Sequence, residues 1–304
     1  MSSDSRLSIA GLSVLTVMVL FTAVWMHMQS EDRAAPATMP AVAAEVELPD
    51  APLAGFVEIA AGPFRMGSDP AADRMAYANE RWSASAYQGV VDLPTFYIGR
   101  DEVTVAEFRA FLRATGRPAN AVAEAGKDRF PVTNVSWTDA LAYARWLQES
   151  VRSSPALAPQ LAALFDAGWT LTLPNEAQWE KAARGSDGRV FPWGNTPDAE
   201  NANVGSDGTR PVGSIACEDC SYGLNDMSGN VWELTRSPLR DYPFDPAGDG
   251  AIIDGDALYV MRGGSFSDTI NNARAATRGG VDPGARRDNI GFRLVLERAV
   301  LPRR

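Results

Sequence analysis

The sequence feature that most constrains the fold is a long uncharged run near the start of the chain. Residues 7–28 (LSIAGLSVLTVMVLFTAVWMHM) contain no Asp, Glu, Lys or Arg. As a helix rising 1.5 Å per residue, this run spans about 33 Å, enough to cross the hydrocarbon core of a bilayer. A cleaved signal peptide is the alternative, but the nearest small-x-small pattern, at residues 41–43 (AVA), lies well beyond the run. We therefore expect residues 7–28 to be an uncleaved transmembrane anchor, preceded by a tail of residues 1–6.

The rest of the chain divides into a linker and one globular domain. Residues 29–55 are rich in Ala and Pro and contain no aromatic residue, so they cannot bury enough apolar surface to order themselves. From Phe56 to Leu296, short apolar segments and turn residues alternate without a second linker or an internal repeat. We predict a single domain over residues 56–304.

The location of this domain is inferred from the anchor and the cysteines. Arg6 and Arg33 flank the anchor almost evenly, so the charges do not decide its orientation. An N-terminal anchor followed by one large domain usually exports that domain, and two cysteines three residues apart suit an oxidising compartment. We expect a membrane-anchored protein whose domain lies in the periplasm or outside the cell.

Composition excludes several classes of function. The formal net charge of −10 argues against a nucleic-acid partner, because a phosphate backbone is bound through Lys and Arg. The single histidine, His27, falls in the predicted anchor. The domain therefore cannot run a Ser-His-Asp or Cys-His mechanism, and it cannot build a His-rich metal site. Any metal must be bound by oxygen atoms or by Cys217 and Cys220.

Alternating apolar residues predict several short strands. Residues 56–59 alternate, residues 61–63 (AGP) form a turn, and residues 64–67 continue the pattern, which together predict a hairpin. Residues 93–98 predict another short strand. Such short strands, mixed with the helices described next, indicate an α+β domain with little regular structure.

Capping residues and periodicity predict the helices. Thr104 and Glu107 form a capping box that opens a helix, and Gly116 ends it. Ser136 caps a second helix with apolar residues at helical spacing. A third, short helix is predicted over residues 176–184. The chain beyond it is rich in Asn, Gly, Asp and Pro, as expected for loops that are fixed by hydrogen bonds or ions.

Several motifs occur in an order that resembles a known family. The sequence is similar to the formylglycine-generating enzymes, or sulfatase-modifying factors, whose relatives are tied to ergothioneine-type, siderophore and nitrite-reductase maturation pathways. The resemblance implies their α+β fold, which is related to that of C-type lectins. It rests on residues 62–67 (GPFRMG), 173–185 (LPNEAQWEKAARG), 191–194 (FPWG), 222–233 (YGLNDMSGNVWE), 262–266 (RGGSF), 273–276 (ARAA) and 289–293 (NIGFR).

The resemblance also implies bound calcium. In residues 228–233 (SGNVWE) a carboxylate follows several turn carbonyls, an all-oxygen set that a hard cation prefers. The alternative for Glu233 is a carboxylate hydrogen-bonded to loop amides. At the second family site the loop is shortened before Thr209. The implied ligands are Ser228, Gly229, Val231 and Glu233 at the first site and Asn203, Val204 and Asp207 at the second.

The sequence departs from the family at its reaction centre. Catalytic members carry one cysteine two residues after the Gly-Gly-Ser-aromatic motif and a second five residues further on, and this pair binds copper(I), a soft metal that needs thiolates. Here those positions are Asp268 and Ala273. Ser265 and Asn289, together with Asp268, are implied to line a surviving substrate cleft. We therefore expect no formylglycine generation and no copper.

The Cys217-Glu218-Asp219-Cys220 segment allows three interpretations. A Cys-x-x-Cys pair can be a redox dithiol, half of a metal site or a local disulfide. The chain contains no other cysteine to complete a zinc site. In an exported domain we favour a structural disulfide between Cys217 and Cys220.

Three functions follow from these observations. We expect an accessory factor in the maturation or modification of an exported client protein or metalloenzyme. A non-catalytic, lectin-like module that binds protein or glycan is the first alternative. An oxidoreductase of the formylglycine type that uses an atypical site is the second alternative.

Overall fold

The computed structural model describes residues 46, 48–118, 127–245 and 257–298. The predicted anchor at residues 7–28 and most of the predicted linker lie outside these residues. Within them, no helix combines the length and the apolar character needed to cross a bilayer.

The described residues form the predicted α+β fold, in which short elements are separated by long loops. The strands are two to seven residues long. In chain order the elements are β1 (Phe56–Ile59), β2 (Gly62–Met66), β3 (Gly89–Leu93), β4 (Phe96–Gly99), α1 (Val105–Thr115), α2 (Trp137–Ser153), α3 (Pro159–Asp166), β5 (Trp169–Thr172), α4 (Glu176–Arg184), β6 (Trp232–Pro238), β7 (Tyr259–Arg262), β8 (Arg278–Val281), β9 (Ile290–Gly291) and β10 (Val295–Arg298).

The strands pair into three sheets. The first has the order β1-β4-β10-β5 and is antiparallel throughout, while β2 and β3 form a separate pair. The third sheet has the order β8-β7-β6-β9, in which β6 and β9 run parallel. This sheet brings two distant motifs together, because Glu233 of β6 lies opposite Gly291 of β9.

The hairpin predicted from residues 56–59 and 64–67 is wrong. β1 pairs with β4, and β2 pairs with β3. The side chain of Lys181 on α4 gives the physical reason, since its ammonium donates hydrogen bonds to the carbonyls of Ala60 (2.7 Å) and Gly62 (2.9 Å). The turn between the strands is thus bound to α4, and the two strands enter different sheets.

The strand predicted over residues 93–98 is also divided in the structure. β3 ends at Leu93 and β4 begins at Phe96. Pro94 lies between them and has no N–H to donate to a ladder, so the chain changes sheets there.

The three predicted helices begin where the sequence indicates, and the first and third also end there. Each N-cap side chain accepts a hydrogen bond from the N3 amide, and each N3 side chain accepts one from the N-cap amide. Gly116 ends α1 with a left-handed φ of 63°, a conformation in which glycine is not strained. The cap pairs are Thr104 with Glu107, Ser136 with Asp139, and Asn175 with Gln178.

The interior contains arginines as well as apolar side chains. Trp179 of α4 is fully buried in the main apolar cluster. Buried arginines are each paired with buried carboxylates, so that each charge removed from water is neutralised. These arginines are Arg184, Arg262, Arg274 and Arg293, all at most 2% exposed.

Candidate functional site

A buried ion pair stands at the end of the segment of residues 226–233, which we call the cation loop. The carboxylate of Glu233 is 0% exposed. Its Oε1 accepts from Arg293 Nη2 (2.6 Å), and its Oε2 accepts from Arg293 Nε (2.6 Å) and Trp179 Nε1 (2.8 Å). The partners of Glu233 are therefore a guanidinium and an indole, rather than the loop amides considered from the sequence. This bidentate pairing fixes the carboxylate rigidly.

Two further acidic side chains lie beside this ion pair. Glu102 is 1% exposed, and its Oε1 accepts from Asn230 Nδ2 at 2.8 Å. Its Oε2 is buried and receives no hydrogen bond from an N–H or hydroxyl donor among the described residues, and the carboxyl group of Glu102 is close enough to that of Asp226 to share a hydrogen bond with it when one of them is protonated. Asp226 accepts the Gly213 N–H at Oδ2 (2.7 Å). The cation loop thus carries more buried acidic oxygens than donors to satisfy them.

The pKa values of Glu102 and Asp226 reflect this shortage of hydrogen-bond donors. Burial raises the pKa of Glu102 well above its ordinary value, and the neighbouring charge of Asp226 raises it further. Burial also raises the pKa of Asp226, to about 6, although the Gly213 N–H bond opposes the rise. Either a proton or a cation is needed to make this pair of carboxyl groups favourable inside the protein.

These residues fit an oxygen-bound divalent cation. The unpartnered oxygen of Glu102 and the carboxylate of Asp226 are hard ligands of the type that calcium prefers. In the described ranges no three Asp, Glu, His or Cys side chains converge on one point, so the remaining ligands must be backbone oxygens or water. The turn carbonyls of Gly229 and Val231 lie in the same loop. Glu233 contributes charge that Arg293 already neutralises.

The backbone of the cation loop is tightly packed. Gly229 has a φ of 80°, and a Cβ there would stand 2.4 Å from the carbonyl oxygen of Asn203. Asn230 follows with a φ of 62° and is 0% exposed. A side chain at Gly229 would therefore push the loop away from Asn203 and displace its carbonyls.

Of the residues predicted for the second calcium site, Asn203 packs directly against the cation loop, since its carbonyl accepts the Asn230 N–H at 2.9 Å. The amide of Asn203 is buried and donates to Gly208 O (3.0 Å) and Asn230 Oδ1 (3.1 Å). Its Oδ1 accepts from Ser206 Oγ at 2.7 Å. Asp207 is exposed and Val204 is half-buried. This site stays a prediction, with the side chain of Asn203 already engaged by the protein.

Besides the bond from Trp232 Nε1 to Asp268 Oδ2, three hydrogen bonds join the cation loop to the segment after β7. They link residues 228–230 to residues 263–273, which carry the cleft positions. The bonds run from Gly229 N–H to Gly263 O (2.8 Å), from Phe266 N–H to Asn230 O (2.9 Å) and from Ser228 Oγ to Ala273 O (2.6 Å).

Asp268 organises the residues that the family resemblance assigns to a substrate cleft, and we call this group of residues the cleft. Its Oδ2 accepts from Ser265 N–H (3.0 Å), Ser265 Oγ (2.6 Å) and Trp232 Nε1 (2.8 Å). Its Oδ1 accepts from Asn272 Nδ2 at 2.7 Å. Neutral donors therefore occupy both oxygens of the residue that stands at the first family cysteine position.

The rim of the cleft carries neutral hydroxyl and amide groups. Asn289 Nδ2 lies 3.4 Å from both Ser265 Oγ and Ser267 Oγ, so these bonds are long and weak. Ser267 is exposed, while Ser265 is fully buried. Tyr77 is 45% exposed and donates its hydroxyl to Asn272 Oδ1 at 2.8 Å. The structure thus joins Ser265, Asp268 and Asn289 in one hydrogen-bonded group, and their role in a substrate cleft stays a prediction.

The residues at the family copper positions do not fit copper(I). Ala273 is 0% exposed and offers a methyl group, and Asp268 offers oxygens already bound by neutral donors. Cys217 and Cys220, the only cysteines of the chain, are joined in a disulfide. A soft metal that requires two thiolates finds no such pair here.

Comparison with known proteins identifies the class to which this fold and site belong. The sequence profile described as "Sulfatase-modifying factor enzyme 1-like domain" matches residues 42–298, and the chain belongs to this family, that of the formylglycine-generating enzymes. The chain is similar to "Inactive C-alpha-formylglycine-generating enzyme 2" of Bos taurus, with 34% identity over 204 residues, 61% of this chain and 56% of the relative. It is also similar to hercynine oxygenase of Mycolicibacterium smegmatis, with 31% identity over 289 residues, 79% of this chain and 61% of the relative.

Solved structures give the same class. The structure of PvdO from Pseudomonas aeruginosa is 25% identical, with a TM-score of 0.62, and the match covers 80% of this chain and 94% of that one. CarF is 26% identical, with a TM-score of 0.54, and the match covers 79% and 97% of the two chains. The chain spans between 56% and 61% of the length of the two curated relatives named above.

Sequence reasoning missed Glu102 and Asp226. Asp226 lies inside the motif of residues 222–233, so a search for every acidic residue in that motif would have found it. Glu102 lies 124 residues before Asp226 (226 − 102), directly ahead of the α1 cap, and no local pattern marks it. Only the folded arrangement brings it to the cation loop.

Proposed function

We propose that this protein is a membrane-anchored, exported accessory factor that binds a client protein or metalloenzyme during its maturation and does not generate formylglycine. The observation that carries this proposal is the environment of Asp268. Four hydrogen bonds from Ser265, Trp232 and Asn272 hold its carboxylate where catalytic members of the family need a thiolate. The cleft is thereby built for recognition rather than for copper-dependent oxidation.

Two further observations support a function other than formylglycine generation. The relatives of the chain carry differing names, among them an inactive formylglycine-generating enzyme and a hercynine oxygenase, so family membership alone does not define the activity. The exposed Ser267 and Tyr77 and the half-buried Asn289 are neutral hydrogen-bonding groups of the cleft. Such groups suit the amides of a peptide segment.

We propose that calcium is the cofactor and has a structural role. Glu102, Asp226 and the carbonyls of Gly229 and Val231 would hold it, beside the Glu233 ion pair. When bound, it supplies positive charge that keeps both acids ionised without a proton. The second site, at Asn203, Val204 and Asp207, is proposed on the family resemblance alone.

The claim that the protein does not generate formylglycine is tested by incubating the full chain with copper(I), oxygen and a cysteine-containing peptide. We expect no aldehyde by mass spectrometry and no peptide-dependent oxygen uptake. The matched variant Asp268→Cys/Ala273→Cys restores both thiols and should bind copper(I) in a competition assay with a chromogenic chelator. Aldehyde formation by the wild-type chain would refute the proposal and favour the atypical oxidoreductase.

The claim that the protein helps an exported client protein to mature is tested in the host organism. Strains carrying the wild-type gene, a deletion, or the Ser265→Ala/Asn289→Ala variant are compared by mass spectrometry of exported proteins. We expect the deletion and the double variant to lose maturation of the same exported protein. Val90→Ala serves as the control, because Val90 is 67% exposed on β3 and lies outside the cleft. Unchanged exported proteins in all strains would contradict an accessory function.

A lectin-like binding module is the second candidate. The position of Tyr77 favours it, because a ring that is 45% exposed and is fixed by its hydroxyl bond to Asn272 offers a surface on which a sugar can stack. Screening the full chain against peptide and glycan libraries distinguishes the two. A glycan that is retained by the wild type but not by Tyr77→Ala would favour the binding module.

A further inference from the structure

A cavity of about 350 Å³ lies beside the helices α1 and α2, and none of the cleft residues lines it. Its apolar wall includes the buried side chains of Leu147, Val212 and Leu294. The exposed residues Asp128 and Arg129, which carry opposite charges, mark the side that opens to solvent. A volume of this size with a mostly apolar wall is typical of sites that bind small molecules.

Tyr143 of α2 brings a buried polar group to this cavity. Tyr143 is 1% exposed, and its ring packs against those of Phe108, Phe111 and Phe292, with centroid distances of 5.8, 5.8 and 5.7 Å. Among the described residues, no group forms a hydrogen bond with its hydroxyl. A buried hydroxyl without a partner costs free energy, which a bound ligand can recover by hydrogen bonding to it.

Glu107 of α1 places a negative charge next to this hydroxyl. Glu107 and Tyr143 both line the cavity, and the charge of Glu107 acts on the Tyr143 hydroxyl, which places the hydroxyl at the cavity wall. Burial raises the pKa of Tyr143 well above its ordinary value, and the Glu107 charge raises it further. The phenol therefore stays neutral near pH 7, and its oxygen can accept a hydrogen bond from a ligand. The neighbouring carboxylate favours a donor that carries positive charge.

The first amides of α1, at the same wall, are already bound within the protein. The Val105 N–H donates to Phe130 O (2.9 Å), and the Ala106 N–H donates to Asp128 O (3.1 Å). The Glu107 N–H donates to the N-cap side chain at 3.3 Å. A helix N-terminus with free amides attracts anions, but here these donors are used and the Glu107 carboxylate repels negative charge.

We propose that this cavity binds a small organic amine with an apolar body. The ammonium group of the ligand donates a hydrogen bond to the Tyr143 hydroxyl and lies beside the Glu107 carboxylate. The apolar body packs against Leu147, Val212 and Leu294, which excludes water from the pair of charges and strengthens their attraction. The site is separate from the cleft, so this inference does not depend on the proposed accessory function.

The test uses the full chain in detergent at pH 7 with three ligands of similar shape, which are benzylamine, benzyl alcohol and benzoate. Binding is measured by isothermal titration calorimetry, and a titration of each ligand into detergent alone is subtracted. We expect saturable binding of benzylamine, about tenfold weaker binding of benzyl alcohol and no measurable binding of benzoate. The reason is that a hydrogen bond from a charged donor is stronger than one from a neutral donor.

Two substitutions test the two polar groups separately. Tyr143→Phe keeps the ring and should weaken benzylamine binding about five- to tenfold. Glu107→Gln retains a capping side chain for α1 and should abolish the preference for benzylamine over benzyl alcohol. Arg145→Gln is the matched control and should change neither affinity, because Arg145 is exposed on α2 and does not line the cavity.

Circular dichroism establishes that the variants are folded. Benzoate that binds as tightly as benzylamine would overturn the assignment to amines. Benzylamine binding that both Tyr143→Phe and Glu107→Gln leave unchanged would place the ligand elsewhere and overturn the site. Absence of saturable binding by all three ligands would overturn the proposal as a whole.

Discussion

The cation loop and the cleft are neighbouring regions, each built around buried or half-buried acids, yet their electrostatics are opposite. Asp268 in the cleft receives four hydrogen bonds from neutral donors. Glu102, which packs against the cation loop, receives one at Oε1, has no N–H or hydroxyl donor at Oε2 among the described residues and lies beside a second acid, Asp226. The carboxylate of Asp268 is thus fully bonded within the protein, whereas the carboxyl groups of Glu102 and Asp226 lack donors and face each other.

The largest expected effect tests whether Arg293 holds the cation loop together. Replacing it by methionine leaves Glu233 buried and unpaired, which should lower the free energy of unfolding by about 3–5 kcal/mol. Urea unfolding monitored by tryptophan fluorescence measures this. The control is Arg236→Met, since the Arg236–Glu297 pair is partly exposed (14% and 23%) and should contribute about 1 kcal/mol or less. Equal losses in the two variants would contradict the special role of Arg293.

The second-largest expected effect is the gain in stability on adding calcium, which should depend on Glu102 and not on the cleft residue Asn289. At about one hundred times its dissociation constant, a ligand of the folded state adds about 2.7 kcal/mol to stability. We expect a gain of this order for the wild type, seen as a higher melting temperature with calcium than with a chelator. Glu102→Gln should lose most of the gain, while Asn289→Ala in the cleft should keep it. A full calcium response in Glu102→Gln would show that the cation does not bind at Glu102.

The calcium-free chain should also respond to pH. Because burial raises the pKa of Asp226 from 3.8 to about 6 and that of Glu102 well above 4.5, the folded protein holds protons that the unfolded chain has released. This contribution is complete below about pH 4 and is lost as the pH rises through about 6. Discounting for the partial exposure of Asp226, stability should fall by about 1–2 kcal/mol between about pH 4.5 and pH 7.

Urea unfolding in chelator across this pH range measures the slope. Asp226→Asn removes one of the two titrating groups and should flatten it, and calcium should restore the wild-type stability near pH 7. A wild-type profile that coincides with that of Asp226→Asn would mean that Asp226 does not titrate in this window.

The smallest effect is expected in the cleft. Asp268→Asn keeps the shape of the side chain but removes its charge and turns one oxygen into a donor, which should lower stability by about 1–2 kcal/mol. The loss should persist with calcium and with chelator, because it comes from the four hydrogen bonds of the Asp268 carboxylate, which a cation does not replace. A loss that appears only without calcium would show that the two regions share one electrostatic balance.

The helices and the motif-bearing loops could be predicted from the sequence because their signals are local. The capping pair of Thr104 and Glu107 fixes the start of α1 within four residues. The first hairpin could not be predicted correctly, because the side chain that redirects it, Lys181, comes from a distant helix. The helix Pro159–Asp166 was not predicted from the sequence.

The same distinction applies to the candidate site. Ser265, Asp268 and Asn289 were predicted together because the family motifs mark them, and Asp268 binds Ser265 across only three residues. The partner of Glu233 was not predicted. The sequence analysis considered loop amides, whereas the structure pairs Glu233 with the guanidinium of Arg293, 60 residues away. Glu102 could not be predicted, because the absence of a donor for its buried oxygen is visible only in the folded structure.

The three hydrogen bonds between residues 228–230 and residues 263–273 have a practical consequence. These bonds join the backbone proposed to hold calcium to the backbone of residues 263–273, so ordering one segment restrains the other. On the proposed calcium site, calcium affinity would report a bound client: a fragment that binds beside Ser267 and Asn289 should tighten calcium binding, and calcium titrations with and without the fragment would detect it.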